Sequence, residues 1–246
     1  MSRSSLRLDQ LLVERKLVRS RSHAIDAVRR GMVRVAGQLA RKPSQRVGAD
    51  VPLDIDKAFR NAVSRAGEKL AYALKYFSVD PAGKTCLDIG ASTGGFTQVL
   101  LKGGAKRIYA VDVGTGQLDA LIKANPRVVA LEQFDARNLD REAVSSLIEL
   151  IVADVSFISL TKVLAAALAL ASPQATILAL VKPQFELGPD VVGKDGVVHD
   201  YDLRTAAMLS VCDWLEKNGW RVAGHIQSPI LGKNGNIEWL VSAGKK

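Results

Sequence analysis

The stretch LDIGASTGGFTQVLL, residues 87–101, is typical of a buried strand, a glycine turn and a helix start, the layout by which α/β proteins hold a nucleotide. It is not a P-loop, because Phe96 stands where a lysine must reach the phosphates. It also lacks the dinucleotide motif G-x-G-x-x-G, because Ser92 replaces the second glycine. Asp88 beside this turn repels phosphate but suits S-adenosylmethionine, which carries an ammonium and a sulfonium. The turn therefore predicts a methyltransferase.

Further acidic residues follow the next two apolar segments. Asp112 lies 22 residues after Gly90, where a carboxylate can accept hydrogen bonds from both ribose hydroxyls of a nucleoside. Asp135 can accept from an adenine amino group, although either residue could instead cap a helix. Asp88 could bind the ligand directly, through water, or only hydrogen-bond the glycine turn. We expect the cofactor to contact Asp88, Gly90, Ser92, Gly94, Gly95, Phe96, Asp112 and Asp135.

A carboxylate and a lysine follow two later apolar segments. Asp154 ends VAD and Lys182 ends LVK. An ammonium at the mouth of a buried strand must stay hydrated or paired, so Lys182 is a candidate for chemistry. The alternative is a lysine that extends to solvent at the sheet edge.

The elements that must position these residues alternate along residues 61–246. Apolar strands and helical segments follow one another, which predicts a Rossmann-like, doubly wound α/β sheet of parallel strands. The last two strands are expected to form an antiparallel hairpin at its edge. Ligands of such sheets bind at the carboxyl ends of the strands, where the candidate residues fall.

Positive charge is concentrated at the N-terminus. The chain has a net charge of +9, and residues 1–60 hold 14 Lys and Arg against 6 Asp and Glu. Two short helices and a small β-hairpin are expected there, so this module is predicted to be α+β and to bind a polyanion. Residues 54–65 are interpreted as a linker.

Other functional classes find little support in the sequence. The two cysteines and three histidines form no cluster, so we expect neither a disulfide framework nor a metal site. The apolar run at 163–181 is interrupted at Ser172 and Pro173, and the first ten residues lack the apolar core of a signal peptide. A cytoplasmic protein without membrane insertion is expected, and no protein partner can be inferred.

The segment RLDQLLVERKLVRSRSHAIDAVRRGMVRVAGQLARKPSQRV resembles the S4-like RNA-binding domain of ribosomal proteins and RNA-modifying enzymes. The resemblance implies structured RNA as the partner, read by shape and backbone. It assigns residues 1–60 to an S4-like domain and residues 61–246 to a second domain. The implied RNA contacts are Arg7, Arg21, Arg29, Arg30 and Arg34.

The second domain resembles the FtsJ-like ribose 2′-O-methyltransferases. Their Lys-Asp-Lys-Glu tetrad matches, in order, Lys69 in SRAGEKL, Asp154, Lys182 and Glu238 in GNIEWLV. The joined architecture is similar to the TlyA family, to which the name haemolysin is also attached. That resemblance implies an S-adenosylmethionine-dependent enzyme that methylates cytidine ribose in ribosomal RNA, within ribosomal subunits. Some members of the family have a tryptophan in the linker, which reads NAVSR here.

The tetrad would have to remove a proton from a ribose hydroxyl. We expect Lys182 to act as the base, but free lysine has a pKa of about 10.4. A second lysine and burial favour the neutral amine, whereas the carboxylates favour the ammonium. In the latter case Lys182 would stabilise the developing alkoxide while water or a carboxylate accepts the proton. The alternatives to an enzyme are a non-catalytic RNA-binding or ribosome-assembly protein and a haemolysin.

Overall fold

The computed structural model describes residues 5–246. Residues 1–4 lie outside the described residues, and the expectation about a signal peptide falls partly on them. The chain divides into two compact units. The first ends at Ser64 and the second runs from Arg65 to Lys246.

The first unit is a small α+β module. Its helix α2 (Arg21–Arg29) begins after Ser20, whose hydroxyl accepts the His23 N–H, and ends two residues before Gly31, which has a φ of +71°. Strand β2 pairs antiparallel with β3 and β5, and β1 pairs with β4. The elements are β1 (Ser5–Arg7), α1 (Leu8–Glu14), α2 (Arg21–Arg29), β2 (Val33–Val35), β3 (Gln38–Leu39), β4 (Arg46–Gly48), β5 (Leu53–Ile55) and α3 (Lys57–Asn61).

The interpretation of residues 54–65 as a linker is wrong for their first half. Ile55 lies on β5 and Phe59 on α3, and both side chains are buried in the core of the first unit. Of residues 54–65, those in the three-residue strand and those in the single helical turn contribute one large buried apolar side chain each to this core. Neither element is long enough to show a hydrophobic period, so the sequence pattern could not reveal them.

The second unit contains a seven-stranded sheet. Its strands are β6 (Thr85–Ile89), β7 (Arg107–Asp112), β8 (Val128–Glu132), β9 (Ile148–Ala153), β10 (Ala171–Val181), β11 (Trp220–Gln227) and β12 (Trp239–Lys245). They lie in the order β11-β12-β10-β9-β6-β7-β8. The neighbours from β10 to β8 are parallel, and β12 runs antiparallel between β10 and β11. The predicted hairpin is therefore present, with β11 at the edge.

Helices cover both faces of this sheet. They are α4 (Ala66–Tyr76), α5 (Gly95–Lys102), α6 (Ala120–Lys123), α7 (Leu160–Ala169), α8 (Pro183–Glu186) and α9 (Tyr201–Lys217). Leu70 of α4 and Leu100 of α5 pack with one face, whereas Leu164 of α7 and Leu215 of α9 pack with the other. This arrangement confirms the doubly wound α/β fold class.

Candidate active site

The glycine turn after β6 brings two strand ends into close contact. Gly90 has a φ of +82°, and a Cβ atom there would lie 2.4 Å from the carbonyl oxygen of Asp154. The Asp154 N–H in turn donates to the Ile89 carbonyl at 2.9 Å. The carboxyl ends of β6 and β9 thus meet backbone to backbone, which only glycine allows at this position.

Asp112 holds the turn in place from the end of β7. Its carboxylate accepts the N–H of Ser92 at 2.8 Å and the N–H of Gly114 at 2.7 Å. Each carboxylate oxygen keeps a further lone pair after these bonds. Asp112 can therefore support the turn and still accept a hydrogen bond from a ligand.

A cavity of about 470 Å³ opens at these strand ends. Four of the predicted cofactor residues line it: Gly90, Ser92, Asp112 and Asp135. Apolar side chains form much of the remaining wall: Ile89, Val111, Val113, Phe134 and Val163. A concave, mainly apolar pocket with a few carboxylates suits an adenosine moiety that bears a cationic tail.

Asp135 borders the cavity and also caps a short helical turn. Its side chain lines the cavity and also accepts the Arg137 N–H at the start of a 3₁₀ turn. The Arg137 guanidinium lies 2.5 Å from the same carboxylate and holds the pKa of Asp135 below its ordinary value. Asp135 is thus kept ionised as a hydrogen-bond acceptor.

The structure revises the positions of four other predicted cofactor residues. Asp88 and Phe96 have side chains buried away from the cavity; Phe96 packs in the core with α4 and α5. Gly94 and Gly95 start helix α5. Gly94 has a φ of +95°, and a Cβ atom there would meet Ile122 at 2.7 Å. These four residues shape the turn from behind and do not line the cavity.

Asp88 is a fully buried carboxylate. It accepts the Thr97 hydroxyl at 2.5 Å, and within the described residues its Oδ1 atom has no hydrogen-bond partner. Desolvation raises the pKa of Asp88 to about 7, although the bond from Thr97 opposes the rise. This placement favours the structural alternative, in which Asp88 secures helix α5 to strand β6.

The predicted tetrad forms two ion pairs, of which Lys69–Glu238 is buried and Lys182–Asp154 is half-buried. Lys69, in the first turn of α4, pairs with Glu238 just before β12. Lys182 at the end of β10 pairs with Asp154 at 2.6 Å and donates to the Ser156 hydroxyl at 2.9 Å. All four side chains are at most 14% exposed. Four elements that are distant in sequence therefore place two lysines and two carboxylates together.

These pairs border a second cavity of about 380 Å³. Lys69, Lys182 and Glu238 line it, whereas Asp154 lines the first cavity. The Lys182–Asp154 pair thus joins the two cavities. Ser156 and Phe157 line both, so the cavities are adjacent. A ligand in the first cavity and a ligand in the second would meet beside Lys182.

Phe157 is a residue of this site that the sequence reasoning missed. It has a φ of +66° and is 86% exposed, and its ring lies 5.1 Å from that of Phe185. A bulky residue in this strained backbone region, with its ring in solvent, indicates a constraint other than packing. The signal available in the sequence was an aromatic residue shortly after β9, the fourth strand of the sheet along the chain.

Asn236 is a second residue that was missed. Its amide nitrogen donates to the Gly196 carbonyl at 2.8 Å, and its oxygen accepts the Val198 N–H at 3.2 Å. The side chain is buried and joins the loop after α8 to the loop before β12, two residues from Glu238. It fixes the wall of the second cavity.

The candidate RNA-contacting arginines lie in the first unit. Arg29 and Arg34 are exposed, and Arg30 lies over the Phe59 ring at 5.3 Å. Arg7 and Arg21 converge on the buried carboxylate of Asp9. The assignment of these five residues to RNA binding remains a prediction.

Two families match the chain. The FtsJ-like methyltransferase family matches residues 62–245, and the S4 domain matches residues 6–51. The first match spans the unit that contains both cavities, and the second lies within the basic unit.

Several relatives align along nearly the whole chain. The 16S/23S rRNA (cytidine-2′-O)-methyltransferase TlyA of Mycobacterium tuberculosis is 46% identical over 96% of this chain and 88% of its own length. Hemolysin A of Brachyspira hyodysenteriae is 37% identical over 96% and 98%. A solved structure of a hemolysin-named protein from Streptococcus thermophilus superposes with a TM-score of 0.77 at 35% identity, covering 100% of this chain and 90% of that one. The chain therefore belongs to the FtsJ-like methyltransferases, and within them to the TlyA family, with an S4 domain before the methyltransferase domain.

Proposed function

We propose that this protein transfers a methyl group from S-adenosylmethionine to the 2′-oxygen of a cytidine ribose in ribosomal RNA. One observation carries the proposal: the Lys182–Asp154 ion pair lies between the two adjacent cavities. The first cavity offers carboxylates to a nucleoside, and the second offers two ammonium groups to a ribose and its phosphates. The name of the 46% identical relative supports the same reaction.

The residues of the first cavity would hold the methyl donor. Asp112 and Asp135 accept hydrogen bonds at the carboxyl ends of neighbouring strands, where nucleosides bind in such sheets. When bound there, S-adenosylmethionine supplies a methyl group activated by its sulfonium. Apolar walls exclude water from the pocket and strengthen the attraction between carboxylates and a cation.

Lys182 would stabilise the charge that develops on the ribose oxygen. Its Nζ atom lies 2.6 Å from an Asp154 carboxylate oxygen and donates to the Ser156 hydroxyl at 2.9 Å. Of the two versions left open by the sequence, we propose the one in which Lys182 acts as a positive charge beside the reacting oxygen. An ammonium held in place before the reaction lowers the barrier without reorganisation. Asp154, at the same point, is the carboxylate placed to accept the proton.

Lys69 and Glu238 would orient the ribose. Their buried ion pair lines the second cavity and is fixed by α4 and β12. A helix and a strand hold side chains within narrow limits, which an in-line transfer needs. Glu238 can accept from a sugar hydroxyl, and Lys69 can neutralise a neighbouring phosphate.

The first unit would bind structured regions of the RNA. The substrate would be the RNA within an assembled ribosomal subunit. The basic side chains of the first unit supply phosphate contacts that are not specific for sequence.

The haemolysin function has no supporting feature at the site. Among the described residues no helix is both long and apolar enough to cross a membrane.

The proposal is tested by methyl transfer from tritiated S-adenosylmethionine to each ribosomal subunit that lacks its own modification. We expect label in RNA from one or both subunits with the wild type. Lys182→Met and Asp154→Asn should each reduce transfer at least a hundredfold, because each removes a group from the reacting oxygen. Lys162→Met, which changes an exposed lysine on α7, is the matched control and should transfer normally.

Cofactor binding separates the possible failures. Equilibrium dialysis should show that Lys182→Met still binds S-adenosylmethionine within a few-fold of the wild type. If the wild type neither binds S-adenosylmethionine nor transfers label, the proposal of an enzyme is refuted and a non-catalytic RNA-binding protein is favoured. Equal transfer by Lys182→Met and Lys162→Met would refute the assigned site.

A further inference from the structure

Asp9 is a buried carboxylate in the first unit with no place in the methyl-transfer site. It lies in the first turn of α1, and its side chain has no solvent exposure. Burying an isolated carboxylate is costly, so its charge must be compensated by nearby cations. Two arginines provide that compensation.

The two guanidiniums reach Asp9 from different elements. Arg7, at the end of β1, donates from Nε to Oδ1 at 3.0 Å and from Nη2 to Oδ2 at 2.9 Å. Arg21, the first residue of α2, donates from Nε to Oδ2 at 3.0 Å. These bonds hold the pKa of Asp9 down at about 2, so it is ionised at neutral pH. One anion thus fixes two planar donor groups whose Cα atoms lie on separate elements.

The arrangement leaves donors and charge directed outward. The Arg7 and Arg21 side chains are 38% and 55% exposed, although Asp9 beneath them is inaccessible. Two positive charges against one negative charge leave a net charge of one. Nη1 of Arg7 and both Nη atoms of Arg21 have no acceptor within the described part of the chain. The triad therefore presents several N–H groups to solvent.

A cation at the first residue of a helix also needs an explanation. The N-terminus of α2 carries partial positive charge, and the first turn of α2 has no acidic residue. Arg21 is therefore unfavourable there unless an anion is near. Asp9 is one such anion, and an external anion bound to the outward N–H groups would add to its effect.

We propose that Asp9 is a positioning residue that fixes Arg7 and Arg21 as one binding site for a single phosphodiester of the RNA. The phosphodiester carries one negative charge, which matches the net charge of the triad, and its two non-bridging oxygens accept the outward N–H groups. Pre-orientation removes the entropy loss of ordering two long side chains upon binding. The inference rests on the proposed function, because it presumes that this unit binds RNA.

A double-mutant cycle tests the inference with full-length protein. The variants are Asp9→Asn, Arg7→Gln combined with Arg21→Gln, and the triple substitution. The probe is transcribed 16S and 23S ribosomal RNA, with binding measured at several salt concentrations. We expect Asp9→Asn to weaken binding about tenfold, and the triple variant to bind within twofold of the arginine double variant. A tenfold loss by Asp9→Asn that persists when both arginines are absent would overturn the inference.

The salt dependence counts the phosphates. One shared phosphate predicts that replacing both arginines lowers the slope of log K against log salt by about 1. A decrease of about 2 would mean that each arginine contacts its own phosphate, which contradicts a single site. The slope reports contacts with phosphate, so Asp9→Asn would leave the slope unchanged if Asp9 only stabilised the fold.

A stability control separates positioning from folding. Val28→Ala removes buried methyl groups from the same core without touching the triad. If Val28→Ala lowers the melting temperature as much as Asp9→Asn does, Val28→Ala should still keep its RNA affinity, whereas Asp9→Asn should not. Equal loss of affinity by both variants would assign Asp9 a structural role only. If the wild type transfers methyl groups normally but the RNA-binding losses of Asp9→Asn and of the arginine double variant simply add, this inference alone is refuted. If the wild type does not bind RNA, the proposed function is refuted too.

Discussion

Substitution of Gly90 by alanine should open the junction between β6 and β9. Gly90 has a φ of +82°, and the added Cβ atom would lie 2.4 Å from the Asp154 carbonyl oxygen and 2.9 Å from its carbonyl carbon. Real Cβ atoms essentially never approach closer than 3.0 Å, so the backbone must shift by about 0.6 Å or more. The neighbour is backbone and cannot rotate away. The shift therefore displaces Asp154 itself.

Two contributions set the size of the effect. A left-handed conformation costs alanine about 1–2 kcal/mol relative to glycine, and overpacking of this kind costs about 1–3 kcal/mol more. Gly219→Ala isolates the first contribution, because Gly219 also has a φ of +82° and nothing lies within 4 Å of the added Cβ atom. Gly90→Ala should therefore be less stable than Gly219→Ala by about 1–3 kcal/mol, or about 2–12 °C in melting temperature for a unit of this size.

Urea unfolding and S-adenosylmethionine binding measure the two consequences. Because Gly90 and Asp154 both line the first cavity, Gly90→Ala should also weaken cofactor binding at least tenfold, whereas Gly219→Ala should not. Equal unfolding free energies for the two variants, within about 0.5 kcal/mol, would show that the close approach of the strands is absent. Normal cofactor affinity in Gly90→Ala would show that this turn does not border the cofactor.

Four further outcomes follow from individual side chains. Since burial raises the pKa of Asp88 to about 7, the wild type should lose unfolding free energy relative to Asp88→Asn as pH rises from about 4 to 7, measured by urea titration at each pH. The depressed pKa of Asp9 has the opposite sign: its contribution to the first unit is present above about pH 4 and should be lost relative to Asp9→Asn as pH falls toward 2. Asn236→Ala should cost about 2–4 kcal/mol in the same titration and reduce methyl transfer, because it leaves the Gly196 carbonyl and the Val198 N–H without their partner. Phe157→Ala should leave the melting temperature within about 1 °C, because the ring is exposed, and should lower transfer at least tenfold; unchanged transfer would remove Phe157 from the site.

The sheet could be predicted because its strands carry strong local signals. Parallel strands buried on both faces read as continuous apolar runs, as in LIVAD and ILALV, and helices separate them. Asp112, Asp154 and Lys182 follow such runs, so their common edge was foreseeable. The boundary between the two units was not foreseeable, because Ile55 and Phe59 belong to elements too short to show a hydrophobic period.

The misplaced and missed residues depend on features that a sequence does not carry. Whether Asp88 faces the ligand or the core depends on the direction of one side chain at the end of β6, and the structure places it against Thr97. Phe157 is distinguished by a positive φ, and Asn236 by bonds to a loop about 40 residues away in the chain. Both features follow from tertiary structure. The pairing of Lys182 with Asp154, as opposed to Glu238, is not decided by the strand order either, because β10 lies between β9 and β12 and the pairing depends on side-chain directions.

The most direct test of the proposed reaction is mass spectrometry of nucleosides from the methylated RNA. Ribosomal RNA would be incubated with the wild type and S-adenosylmethionine bearing a deuterated methyl group, within each subunit, and then digested to nucleosides. The account predicts a labelled cytidine whose fragment ions retain the methyl group on the ribose, and none after incubation with Lys182→Met. A labelled methyl group on the base, or equal labelling by Lys182→Met, would contradict it.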